Sequence, residues 1–207
     1  MEIQRNSRQI PSVPQYTANK QYSDLLYGYL QNISLMDEST GIRYIPKKNI
    51  KYTEIAEAIG MTRQTVSKRF NDLVQQGLIY YNEDQKTYTF LKLEKELATL
   101  LPSETVRVLC NTLKDRCLSV LSYLLKTYVQ HGMNCCEVNM DIIKTHVGLS
   151  TKNRAKNNEV IKDIFLILEK LGLIKYHTEK VFDSGSGGYK TRYFLDYVDN
   201  TINLEKC

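Results

Sequence analysis

The sequence predicts a mainly α-helical chain carrying small β-hairpins, an α+β class in which one helix-helix-hairpin arrangement occurs twice. Three observations predict it. Apolar residues recur at three- and four-residue steps through most of the chain. Short runs rich in tyrosine and branched residues close each half. Two landmarks repeat: Ala58-Ile59-Gly60-Met61-Thr62 matches His146-Val147-Gly148-Leu149-Ser150, and Gln76-Gly77-Leu78-Ile79 matches Leu171-Gly172-Leu173-Ile174. An internal repeat of whole-domain size is the economical explanation.

The elements follow in order. Residues 1–19 are polar, contain Pro11 and Pro14 and lack periodicity, so they read as a flexible N-terminal arm. From Tyr22, the stripe Leu25, Leu26, Tyr29, Leu30 and Ile33 predicts a helix, broken by Glu38-Ser39-Thr40-Gly41. Ile42 to Ile45 reads as extended because Pro46 disfavours helical geometry in its predecessor. A second helix from about Tyr52 turns Ile55, Ala56 and Ile59 inward and stops at Gly60. Thr62 caps a third, whose stripe is Val66, Phe70, Leu73 and Val74, with Gly77 at its end. Leu78 to Tyr81 and Tyr88 to Leu93 read as a hairpin about Asn82 to Gln85.

The order then recurs. Residues 94–102 read as a connector and Ser103 as a cap. A stripe from Val106 through Leu109, Cys110, Leu113, Cys117, Val120, Leu121 and Leu124 to Tyr128 predicts a long helix with a break near Asn111. A short strand at Cys136 to Val138, a helix over Asp141 to Val147, a helix within Thr151 to Leu171 and strands at Lys175 to Phe182 and Tyr189 to Val198 complete the second unit. The organisation expected is thus arm (1–19), first unit (20–93), connector (94–102), second unit (103–199) and C-terminal tail (200–207).

Composition excludes several classes. No run approaches the roughly 18 apolar residues of a membrane span, and Met1 to Lys20 lacks a secretory apolar block. A cytoplasmic protein with no membrane partner is expected. Five cysteines, with no Cys-x-x-Cys and no Cys/His group at zinc spacing, predict neither a disulfide framework nor a metal or other cofactor. Cys110 and Cys117 read as small core residues. Fifteen tyrosines invite a nucleophile reading, but His131, His146 and His177 are scattered, and no phosphate-binding Gly-x-x-x-x-Gly-Lys loop occurs. No catalytic residue, and no enzyme, is predicted.

The net charge of +5 is unevenly placed. Arg43 to Lys51, including Lys47 and Lys48, holds four positive residues and no acid; Thr62 to Phe70 and Thr151 to Asn157 hold three each. Clusters of this kind mark a polyanion partner. Ala56, Ile59, Val66 and Phe70 are spaced so that two short helices pack across the turn at Gly60. The start of the third helix then protrudes and is of a size to enter a DNA major groove. There stand Arg63, Gln64 and Lys68, whose side chains suit guanine and adenine edges. Thr65 and Ser67 suit phosphates, and Arg69 extends the basic surface.

The run from Thr53 to Phe70, followed by Leu73 and Gly77-Leu78-Ile79, resembles the winged helix-turn-helix of bacterial regulators. Within it, Arg63-Gln64-Thr65-Val66-Ser67-Lys68 is similar to the recognition helix of lac-repressor-type proteins. The likeness is clear over Tyr22 to Leu93 and weaker over Ser103 to Val198. It implies two winged helix-turn-helix domains in tandem and sequence-specific binding of double-stranded DNA. In the second unit Lys152, Asn153, Arg154 and Lys156 are the candidate contacts, with Lys190 and Arg192, beside Lys180, on a glycine-rich wing. Arg5 and Arg8 of the arm have the chemistry to enter a minor groove, although a tail without a role is the plainer expectation.

Tandem winged units without an effector domain or ATPase resemble plasmid and phage replication initiators, which recruit host proteins. Two alternatives stand beside this. One is a transcriptional repressor, dimeric through the near-heptad stripe of its long helix. The other is an assembly adaptor that does not touch DNA.

Overall fold

Tyr27 and Leu30 on the first helix, and Val106, Leu109, Leu118 and Leu121 from the second half, are all fully buried and belong to one continuous apolar core. The core joins both halves of the chain in this computed structural model, which describes residues 6–11, 24–94, 98–112, 114–150, 154–185 and 187–202. The elements are β1 (Ser7–Pro11), α1 (Asp24–Ile33), β2 (Leu35–Met36), β3 (Arg43–Pro46), α2 (Tyr52–Ala58), α3 (Arg63–Gln75), β4 (Ile79–Asn82) and β5 (Thr87–Phe90). They continue with β6 (Ala98–Pro102), α4 (Ser103–Cys110), α5 (Cys117–Gln130), β7 (Cys136–Val138), α6 (Met140–His146), α7 (Arg154–Lys170), β8 (Ile174–Asp183) and β9 (Gly188–Val198). A single 3-10 turn, Lys47–Asn49, follows β3.

The first half closes on a four-stranded sheet of order β2-β3-β5-β4, the second on a three-stranded sheet of order β7-β9-β8. A helix, a strand, two helices and a hairpin recur in both halves, with β2 added before β3 in the first and α4 added before α5 in the second. The corner between α2 and α3 and the corner between α6 and α7 use the same ending. Gly60 (φ 63) and Gly148 (φ 69) adopt the left-handed conformation glycine tolerates. The next amide reaches back to the last turn, Met61 N–H to the Ala56 carbonyl at 2.9 Å and Leu149 N–H to the Lys144 carbonyl at 2.8 Å. One substitution distinguishes the corners. The repeat aligns Ala56 with Lys144, whose fully buried side chain holds the Asp141 carboxylate at 2.5 Å and donates to Asn158 Oδ1 at 2.8 Å on α7.

Several expectations are corrected. Ser7–Pro11 is not part of a flexible arm but a strand paired antiparallel with Ala98–Pro102, which the sequence reads as connector. The pairing follows from burial: Ile10 and Leu101 are fully buried, and Ser122 of α5 donates from its hydroxyl to the Ile10 carbonyl at 3.2 Å. Arg8 is therefore buried, its guanidinium bonded to the Ser7 carbonyl at 3.1 Å, and is not offered to a groove. Arg5 lies outside the described residues. Ser103 is the first residue of α4 and not its cap; its hydroxyl donates to Asn32 Oδ1 at 2.9 Å across the junction with α1. On α1 the fully buried aromatic is Tyr27 rather than Tyr29, while Ile33 and, on α3, Val74 are exposed.

The expected long helix is two helices. The chain turns at residues 111–112 and again at 115–116, where Arg116 takes φ 75, and α4 and α5 pack on α1 instead of running on. Of the stripe expected at a dimer seam, Val106, Cys110, Cys117, Val120 and Leu124 are at most 2 % exposed inside this chain's own core, and Leu113 lies outside the described residues. Gly28 permits that packing: a Cβ there would press on Leu118, lie 3.0 Å from Val106 Cγ1 and 3.2 Å from Cys110 Sγ. No described helix is long and apolar enough to cross a membrane.

Candidate nucleic-acid interface

Helix α3 is held from one side and free on the other. Val66, Phe70 and Leu73 are buried, and Phe70 makes edge-to-face contacts with Tyr52 of α2 (5.6 Å) and Tyr88 of β5 (5.0 Å). The opposite stripe, Gln64, Lys68, Asn71 and Gln75, is exposed together with Arg63, and no acid lies in the first turn. Among the described residues, neither Arg63 nor Lys68 takes part in an ion pair. Their charge is thus presented to solvent at the helix end whose dipole already favours anions.

The cap is built by threonines. Thr62 Oγ1 accepts from the Thr65 amide at 3.2 Å, and the two hydroxyls are 2.9 Å apart. Thr65, expected to meet phosphate, is therefore engaged in holding the helix start. Ser67 is half-buried. Arg69 departs furthest from expectation. It leaves the basic face and ion-pairs with Asp115 in the α4–α5 turn, both side chains largely covered (22 % and 17 % exposed).

That turn ties several helices together. Lys114 pairs with Asp163 of α7 at 3.0 Å, and Arg116 Nε donates to the Val147 carbonyl after α6 at 2.9 Å. Sequence reading missed this fastening because Asp115 lies 46 residues from Arg69 and has no motif around it.

Beside α3, Lys47 and Lys48 are exposed on the 3-10 turn. Lys47 lies over the Tyr81 ring at 4.9 Å and its amide donates to the Lys86 carbonyl at 2.9 Å, which seats the turn against the wing. The wing tip itself, Glu83 to Lys86, is exposed and carries two acids, which do not favour a phosphate contact.

The second half is less basic where the first is most so. Placing the buried trio Ile161, Phe165 and Leu168 of α7 on Val66, Phe70 and Leu73 puts Glu159 and Asp163 where Gln64 and Lys68 stand. Helix α7 is longer, 17 residues against 13, so its basic end lies further out. Lys156 there is exposed. Arg154 opens the helix but its side chain, like Lys152 and Asn153 entirely, lies outside the description. Lys190 and Arg192 are exposed on β9 and Lys180 on β8; Arg192 is paired with Glu137 of β7 at 3.3 Å.

Residues 28–98 match the family model of the Crp-like helix-turn-helix domain. The matched span runs from within α1 to the first residue of β6 and contains the whole α2-turn-α3 unit, which supports a DNA-binding helix-turn-helix in the first half. No curated protein and no solved structure matches the chain.

Proposed function

We propose that the protein is a sequence-specific duplex-DNA-binding protein in which Arg63, Gln64 and Lys68 read base edges in the major groove. The observation that carries this reading is the exposed, acid-free first turn of α3, presented by a helix-turn-helix of Crp-like type. Lys47 and Lys48 supply phosphate contacts on the flank, and the helix N-terminus positions a further phosphate. Winged modules that serve only as protein adaptors have no need of an unpaired basic face at this position.

Regulation of transcription is the process the Crp-like match favours. Initiation of plasmid or phage replication is the second reading, favoured by the recurrence of helix, strand, helix, helix and hairpin within one chain. In either case Lys152, Asn153, Arg154 and Lys156 act as a basic extension ahead of the acidic part of α7, with Lys190 and Arg192 on the wing adding backbone contacts.

Selection of bound sequences from random duplex DNA tests the proposal. A recovered motif is the expected result. A gapped palindrome assigns a two-fold dimeric regulator, and direct repeats assign the initiator reading. Recovery of no motif, with retention that does not respond to salt, contradicts DNA binding.

A further inference from the structure

Cys135, His177 and Asp196 are distant in sequence, with Asp196 61 residues from Cys135 and 19 from His177. The second sheet brings them together on its outer face. Cys136 and Leu195 are paired and buried. Strand alternation therefore turns their neighbours Cys135 and Asp196 outward. His177 pairs with Phe194 and shares that face.

The potential ligand atoms of the three residues lie within 4.8 Å of one another. His177 Nδ1 is 2.9 and 3.0 Å from the Asp196 carboxylate oxygens, and Cys135 Sγ is 3.5 Å from Asp196 Oδ1.

Two further features shape the site. Lys175 pairs with Tyr197 and Tyr176 with Leu195, which makes Asp196 the extra residue of a β-bulge, a device that re-aims a side chain. Its carbonyl accepts from the Tyr128 hydroxyl of α5 at 3.3 Å, which fixes the bulge to the core. The imidazole is also oriented. It stacks on Phe194 (5.2 Å, 11°), and its second nitrogen, Nε2, faces Glu179 Oε1 at 3.6 Å. A carboxylate on the far nitrogen is the usual partner of a metal-bound histidine.

We propose that Cys135 Sγ, His177 Nδ1 and the Asp196 carboxylate form a three-ligand site for a divalent d-block cation of zinc type, with Glu179 orienting the imidazole. A thiolate, an imidazole and a carboxylate suit a borderline-soft ion, and three protein ligands leave a fourth position for water. The bound ion fastens the segment before β7 to both strands of the long hairpin. The site stands apart from α3 and does not depend on the DNA reading.

Titration of the metal-free full chain with Co²⁺, followed by displacement with Zn²⁺, tests the site. One equivalent of cobalt giving a thiolate charge-transfer band, displaced by one equivalent of zinc, is expected. Cys135→Ser removes that band, and His177→Ala or Asp196→Asn weakens binding by at least about tenfold. All three side chains are exposed, and an unchanged far-ultraviolet circular dichroism spectrum separates ligand loss from unfolding. Failure to saturate, or stoichiometric binding that survives Cys135→Ser, overturns the proposal.

Discussion

Arg63 and Arg69 are both arginines on α3, yet only one is available to a ligand. Arg63 lies in the first turn, exposed, while Arg69 lies toward the buried stripe and is held by Asp115. Their substitutions should therefore differ in kind. Arg63→Ala or Gln64→Ala relaxes preference at particular base positions, each good bidentate contact being worth about 1–3 kcal/mol; a base-resolved binding profile checks this, and equal loss on all sequences contradicts it. Arg69→Ala leaves base preference in place and costs about 1–2 kcal/mol of stability, since it strips a largely covered carboxylate of a charged partner. Its denaturation midpoint and its binding profile, measured together, separate the two roles. The exposed arginine was legible in the sequence because a cap and a helical stripe locate it. The partner of Arg69 was not, because long-range ion pairs leave no local pattern.

At the scale of elements, helix ends and inward stripes were readable from Thr62, Gly60, Gly77 and the apolar spacing, which depend on local geometry. The β1–β6 ribbon was not readable. Its residues, Ser-Arg-Gln-Ile-Pro against Ala-Thr-Leu-Leu-Pro, have weak alternation, and their pairing depends on burial against α5. The break between α4 and α5 was visible only as a weakness near Asn111; what fixes it is the close approach of both helices to Gly28. Gly28→Leu is expected to destabilise by about 3 kcal/mol through overpacking against Leu118, Val106 and Cys110, read as a lowered denaturant midpoint. Thr62→Ala removes the cap of α3 and costs about 1 kcal/mol.

For the whole molecule, the shared core and the fastening around residues 114–116 hold the two halves of the chain to one body. His146 lies where α6 meets α5, its ring 4.4 Å from Tyr123. Burial, and secondarily the charge of Lys126, lower its pKa to about 4 from 6.5. Its neutral form belongs to the folded state, so the unfolded chain takes up the proton first. Stability is full above pH 6.5, falls as pH drops toward 4 and levels off below. The exposed His177 is shifted the other way: its hydrogen bond to Asp196 raises its pKa. His146→Gln should flatten the acid-side loss, measured as Tm against pH. On the proposed reading, Glu159 and Asp163, exposed on α7, make the second half the weaker DNA partner. Replacing Lys152 and Arg154 together lowers affinity and flattens its salt dependence by about one logarithmic unit per phosphate contact removed.

The central claim is that the exposed turn of α3 contacts bases. Comparing the sequences selected by the wild-type chain and by its Arg63→Ala variant addresses it most directly. Loss of preference confined to one or two neighbouring positions is the predicted result. An unaltered motif would show that α3 is not the reading surface.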